Sequence, residues 1–428
     1  MGGLMRWRSA VRVLGALWVG AAGVTAVAQA PAATASAACT APESAVYTPP
    51  ASVGGAPGTV LACRTTALPE VPGDIAMNAW QMQYVSTNVD GKPVAVSGLV
   101  AVPKAAWTGP GTRPVVSFHF GTLGLGSQCA FSKQLAGAYQ DEYEGDQIAA
   151  ILKAGWAVAA TDDVGYLTGQ THTYVVGRNA GHAMLDAVRA AFQVPGSGLS
   201  GGTKVGVWGY SQGGAASLWS AQLAASYAPE LKLAGAAAGG VPADLRAVAK
   251  GSDGGPFAGF SVDATIGLRA AYPKLPFESV LNDRGRQLAT DLRGLCLVGT
   301  VARGAGVKVE DLTVGGLNYD QLFKLAGSDG VTWGEVVDAQ KLGVDIGPAT
   351  STARFRIGFP VLQYHGLLDE VIPTDVENAV RTAYCRAGIT TRQRTYLSEH
   401  LLADNQAIGD VVSWFTDRFA GRPATGNC

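Results

Sequence analysis

Short apolar runs separated by amphipathic stretches recur along most of this chain. Val115 to Phe120, Trp156 to Thr161, Val205 to Trp208, Leu233 to Ala238 and Phe359 to Tyr364 are too short for helices and too apolar for strands with one wet face. That is the pattern of strands buried on both sides. Tyr143 to Lys153 and Ala180 to Phe192 carry apolar residues at helical spacing, and Ala215 to Ala225 is Ala-rich. The alternation predicts an α/β protein: a mostly parallel central sheet, helices on both faces, and reactive residues at the strand ends. Trp80 to Val89 and Val94 to Val102 read instead as a hairpin turned at Asp90-Gly91. Arg392 to Leu397 predicts a further strand, Ser398-Glu399-His400 a loop, and the stretch around Ile408 to Phe419 a terminal helix.

About 120 residues separate the run ending at Ala238 from the one beginning at Phe359, where a simple crossover needs about a dozen. Residues 241–356 are therefore expected to form a mostly helical cap or lid, inserted between core segments 73–240 and 357–428. Residues 31–72 are rich in Ala, Pro, Gly and Thr without strong periodicity, and read as an N-terminal extension. At the start, Arg6, Arg8 and Arg12 precede an apolar stretch from Val13 to Ala28 and the small-residue sequence Ala28-Gln29-Ala30. This predicts a signal peptide over residues 1–30 and an exported, extracellular protein. A retained anchor is the competing reading, but 16 apolar residues are few for a span, and no other segment approaches one. Lipid attachment at Cys39 is disfavoured, since Ser36-Ala37-Ala38 lacks the usual aliphatic residue.

Composition narrows the function. Cys39, Cys63, Cys129, Cys296, Cys385 and Cys428 all follow the proposed cleavage point, as disulfides in an oxidising compartment would. Sequence alone leaves their connectivity open. No Cys-x-x-Cys pair or His cluster points to a metal site, so neither metal nor cofactor is expected. A net charge of −1, a pI near 6.5 and the lack of a basic cluster argue against a nucleic-acid partner. The charged fraction is only 15% and mean hydropathy is +0.16, so some apolar surface is expected to face a lipid interface. An Ala-rich bias produces the same averages without any patch.

The chemistry centres on V-G-V-W-G-Y-S-Q-G-G, Val205 to Gly214, which places Ser211 in a G-x-S-x-G pentapeptide between a strand-like and a helix-like run. That context is a sharp strand-to-helix turn presenting a serine nucleophile. With 57 glycines in 428 residues, roughly 0.4 such matches arise by chance, and a second one exists around Ser200. Ser200 lies in P-G-S-G-L-S-G-G, among turn formers, and serves as a decoy. A serine hydroxyl needs an imidazole to take its proton and a carboxylate to hold the imidazole's tautomer. In this fold class the order is nucleophile, acid, base. Only His365 and His400 follow Ser211. His400 is the candidate base, and Asp369, the first acid after the Phe359 to Tyr364 run, is the candidate orienting acid ahead of Glu370 and Asp375. His365 precedes that acid and reads as scaffold, while His119, His172 and His182 read as structural or pocket-lining. The oxyanion donors are expected at the N–H of Gln212 and in the loop His119 to Gly124, around Thr122 and Leu123.

These stretches resemble the secretory lipases of the α/β-hydrolase superfamily. The resemblance spans most of the mature chain: P-V-V-S-F-H-F-G-T-L-G from Pro114, A-T-D-D-V-G-Y from Ala160, Y-V-V-G-R-N-A-G-H-A-M-L-D-A-V-R-A-A from Tyr174, G-Y-S-Q-G-G from Gly209, and Y-H-G-L-L-D-E-V-I-P from Tyr364. It implies a Ser-Asp-His triad on Ser211, Asp369 and His400, with a cap between nucleophile and acid. It also implies bridges Cys129–Cys296 and Cys385–Cys428, leaving Cys39 for Cys63. The yeast members carry an acidic residue in the oxyanion loop, whereas Gly121 to Ser127 has none, which implies that the second donor here is backbone alone.

The expectation is an exported serine hydrolase, a triacylglycerol lipase or carboxylesterase, that cleaves acyl esters, glycerides foremost, through an acyl-enzyme. An acyltransferase would use the same residues and is separable by product analysis, and a peptidase by amide turnover. A catalytically silent surface binding protein is the reading from another class, and a fluorophosphonate probe that fails to label Ser211 would favour it.

Overall fold

The computed structural model describes residues 38–428, which form one compact unit; the expected signal segment, residues 1–30, lies outside the described residues. Eleven strands occur among the described residues: β1 (Val60–Thr66), β2 (Met77–Thr87), β3 (Pro93–Pro103), β4 (Val115–His119), β5 (Ala157–Thr161), β6 (Lys204–Tyr210), β7 (Lys232–Gly239), β8 (Ile346–Pro348), β9 (Phe355–Ile357), β10 (Val361–Gly366) and β11 (Thr391–Tyr396). Nine of them make one sheet in the order β1-β2-β3-β5-β4-β6-β7-β10-β11. The first three run antiparallel, and β5 through β11 are parallel. β4 and β5 are buried at every residue, as a central parallel strand with helices on both faces must be. The β2–β3 turn closes where expected: the Asn88 side chain accepts from the N–H groups of Asp90 and Lys92, and Gly91 takes a positive φ of 75°.

Helices Gly177–Ala191 and Gln212–Tyr227 cover one face of the sheet, and helices Gly145–Lys153 and His400–Phe419 the other. Gln212–Tyr227 is small and apolar nearly all round, as befits a helix with little exposed surface. Between β7 and β8 the chain is mostly helical, from Leu245–Ser252 to Trp333–Asp338, and builds a separate apolar cluster around Leu268, Phe277, Leu292 and Trp333. Tyr174, Val176 and Leu125, from loops at the parallel strand ends, belong to that cluster.

Two local outcomes differ from the sequence pattern. Segment 31–72 contains a short helix, Glu43–Tyr47, and the edge strand β1, paired antiparallel with β2. Its alternation is hard to see because the register slips between Val60 and Ala62. The terminal helix begins at His400 itself, not near Ile408. Glu399 caps it, accepting from the N–H groups of Leu401 and Leu402 at 2.7 and 2.8 Å. Disulfides join Cys39–Cys63, Cys129–Cys296 and Cys385–Cys428. The second ties the loop after β4 to the start of helix Leu297–Gly304.

Candidate active site

Ser211 sits between the end of β6 and helix Gln212–Tyr227, with φ 54° and ψ −119°. A non-glycine residue with positive φ is strained, and this strain turns the side chain out at the strand tip. The Ser211 N–H donates to Gly239 O at 2.8 Å, tying the turn to β7. The flanking glycines are required by space. A Cβ on Gly209 would lie 2.5 Å from backbone atoms of Gly213 and from His119 O, and one on Gly213 would collide with His119 O.

Asp369 follows β10. Its carboxylate is buried, with one oxygen accepting from the N–H groups of Val371 and Ile372 at 2.9 and 2.7 Å. The other oxygen is 2.6 Å from His400 Nδ1. A carboxylate only accepts, so Nδ1 carries the hydrogen, and in the neutral ring this tautomer leaves the lone pair on Nε2. His400 and Ser211 line one cavity with Thr122, Tyr143, Val298 and Leu401. Three residues spread over 190 positions of chain thus stand beyond the ends of β6, β10 and β11 on one side of the sheet. The competing acids are placed otherwise. Glu370 accepts from the His400 backbone N–H, and Asp375 bonds the neighbouring Val376 N–H at the start of helix Thr374–Arg386. Ser200 is exposed in a loop, with its own N–H on the Thr203 hydroxyl.

The expected oxyanion region adjoins this cavity. Gln212 begins a helix, where backbone N–H groups have no intrahelical acceptor. Its side-chain amide donates to His172 Nε2 at 2.9 Å, while His172 Nδ1 donates to Val164 O at 3.1 Å. Burial pushes His172 down to about 4, so the ring is neutral and can accept that bond. Two residues on, the Tyr174 hydroxyl meets the Thr122 hydroxyl at 2.7 Å. Segment 172–174 therefore holds both Gln212 and Thr122. Leu123 buries its side chain fully, which presses the loop backbone against the core. The contacts of His172 and Tyr174 are formed by tertiary packing alone, and no local motif announces them.

The remaining histidines serve the scaffold. His119 lies between Phe120 O and the Asp163 carboxylate, and His182 bonds Thr87 O and stacks on Tyr227. His365, in β10, pairs with buried Glu377 at 2.5 Å. A second apolar cavity also reaches Ser211, lined by Tyr174, Leu245, Ala249, Phe260 and Val371 among others. A third, inside the helical segment, shares Leu245, Ala249, Ser261 and Ala264 with it.

A strained serine at a strand-to-helix turn, then an acid and a histidine bonded to each other, in that chain order on this sheet, fit an α/β-hydrolase. The comparisons narrow the class. The model of the secretory lipase family matches residues 131–427, and the chain belongs to that family. It is 32% identical over 396 residues to a probable inactive lipase of Mycobacterium tuberculosis, covering 89% of this chain and 82% of that protein. It is 30% identical over 410 residues to lipase 10 of Candida albicans, with 89% and 82% covered. Among solved structures, the closed state of Candida antarctica lipase A superposes with a TM-score of 0.75 at 24% identity, covering 89% of this chain and 86% of that one. The protein is a carboxylic ester hydrolase of lipase type.

Proposed function

We propose that Ser211 is the nucleophile, His400 the general base and Asp369 the orienting acid of a secreted glyceride lipase. In the acylation step Ser211 Oγ attacks the ester carbonyl while His400 Nε2 takes its proton. Asp369 stabilises the resulting imidazolium, and backbone N–H groups of Gln212 and of Thr122 or Leu123 hold the oxyanion. His400 then protonates the leaving alcohol, and water repeats the sequence to release the acid. The observation carrying this reading is the 2.6 Å His400–Asp369 hydrogen bond on a histidine that shares its cavity with Ser211. The apolar cavities running from Ser211 into the helical segment favour a long acyl chain. Segment 241–356 is accordingly read as a cap that houses it.

A lipid interface as the working surface is supported by exposed apolar side chains, two of which, Val298 and Leu401, line the Ser211 cavity. Leu367, Leu368, Leu397, Leu401, Leu402 and Val298 are all exposed. The Leu367 and Leu368 N–H groups bond Tyr396 O and Ser398 O, which sets the loop carrying these two leucines beside the one carrying Leu397. Export is supported by the three disulfides and by the family. Ser211→Ala should abolish hydrolysis of nitrophenyl esters while Ser200→Ala retains it. Equal activity of both variants with the parent would refute the assignment. A relative named as an inactive lipase makes the silent-protein reading worth the test, and an unreactive Ser211 would favour it.

A further inference from the structure

Two carboxyl groups lie fully buried behind the site and take no part in the triad. Glu144, at the start of helix Gly145–Lys153, accepts from the Gly121 N–H at 2.6 Å, one residue before Thr122. Asp404, one turn after His400 on its helix, accepts from Gln147 Nε2 at 2.6 Å and from the Tyr364 hydroxyl at 3.3 Å. Gln147 stands one turn from Glu144. The start of a single helix thus grips both the oxyanion loop and the helix bearing the base. Glu144 Oε1 is buried with no hydrogen-bond partner among the described residues.

We propose that the two buried carboxyls Glu144 and Asp404, linked through the first turn of helix Gly145–Lys153, together position the oxyanion loop against the His400 helix. The inference rests on the Ser211 reading of the site. The surroundings leave the pair unneutralised: Glu142 and Tyr143 come from its own loop, Tyr210 and Tyr364 from β6 and β10, and His400 from the terminal helix. Among these only His400 can carry positive charge. Burial pushes the Asp404 carboxyl up to about 7, and burial with repulsion from Asp404 raises Glu144 well above the usual range. Near neutral pH the pair keeps a proton. Losing it places two anions in one dry site, and their repulsion is relieved by loosening the Glu144–Gly121 bond.

The consequence is a fall in kcat on the alkaline side that does not belong to the triad. Stability follows the same proton. Asp404 is raised from 3.8 to about 7, so the native state holds a proton that the unfolded chain has released. Its stabilising contribution is full below the unfolded value and is lost as pH rises through about 7.

The test is kcat and KM for a soluble ester from pH 6 to 10 in the full-length enzyme, with Glu144→Ala, Glu144→Gln and Asp404→Asn. Glu144→Ala should lower kcat by about ten- to a hundredfold with KM little changed, the scale of a slightly misplaced catalytic group. Glu144→Gln keeps an acceptor for the Gly121 N–H and should recover most of that loss. Both Gln and Asn variants should lose the alkaline decline. A parental alkaline limb in Glu144→Gln and Asp404→Asn would overturn the proposal, as would parental kcat in Glu144→Ala. If Glu144→Ala does not fold, the two pH profiles still decide. Ser211→Ala, measured alongside, separates failure of this pair from failure of the site reading.

Discussion

Two histidine–carboxylate pairs stand at neighbouring strand ends, nearly identical in geometry. His400 meets Asp369 at 2.6 Å and His365 meets Glu377 at 2.5 Å, and all four side chains are at most 4% exposed. What differs is the outlook. His400 borders the cavity that holds Ser211, with Asp369 anchored by two backbone N–H groups beyond the strand tip. His365 lies within β10, and Glu377 spends its other oxygen on the Val241 N–H, stitching helix Thr374–Arg386 to the chain leaving β7. Burial raises the Glu377 carboxyl, and the bonds to His365 and Val241 pull it back. A short histidine–carboxylate contact is therefore not itself a catalytic signature. The access of the second ring nitrogen to a nucleophile is.

The contrast can be broken by parallel substitutions. His400→Ala should lower kcat/KM by roughly 10⁴-fold or more with a smaller loss of stability than His365→Ala, because Asp369 keeps two backbone N–H donors where Glu377 keeps one. His365→Ala should instead unfold more easily, by about 3–5 kcal/mol, because it strands a buried carboxylate. If both lose activity alike while folded, the distinction fails. On the acid side, Asp369→Asn should cost roughly 10³- to 10⁴-fold in kcat through the wrong tautomer. Glu377→Gln should stay within about threefold and lose about 1–3 kcal/mol of stability in urea titration. On the adjacent exposed loops, Leu368→Glu with Leu397→Glu should weaken activity on emulsified glyceride about tenfold, since each leucine contributes about 1 kcal/mol on leaving water. Turnover of a dissolved short ester should hardly change. Equal losses on both substrates would mean that the patch does not serve adsorption.

Much of this was legible in the sequence for identifiable reasons. The glycines around Ser211 are forced by backbone approach, and backbone constraints are written locally. The apolar runs that became β4, β5, β6, β7 and β10 stood out because they are buried on both faces. Chain order singled out Asp369 and His400, which the structure brings into hydrogen-bond contact. The start of the last helix was missed because Glu399 caps it, whereas Ser, Thr, Asp and Asn are the usual caps. Glu144, Gln147 and the bond from Gln212 to His172 were out of reach for another reason. Gln147 and Asp404 are 257 positions apart, and only the tertiary fold makes them neighbours.

The central claim is that Ser211 is activated by His400. A fluorophosphonate probe followed by peptide mapping tests it most directly. The account predicts one adduct per chain, on the peptide containing Ser211, formed orders of magnitude more slowly in His400→Ala and at the parental rate in Ser200→Ala. An active enzyme labelled on another serine, or labelled on Ser211 equally fast without His400, would contradict it.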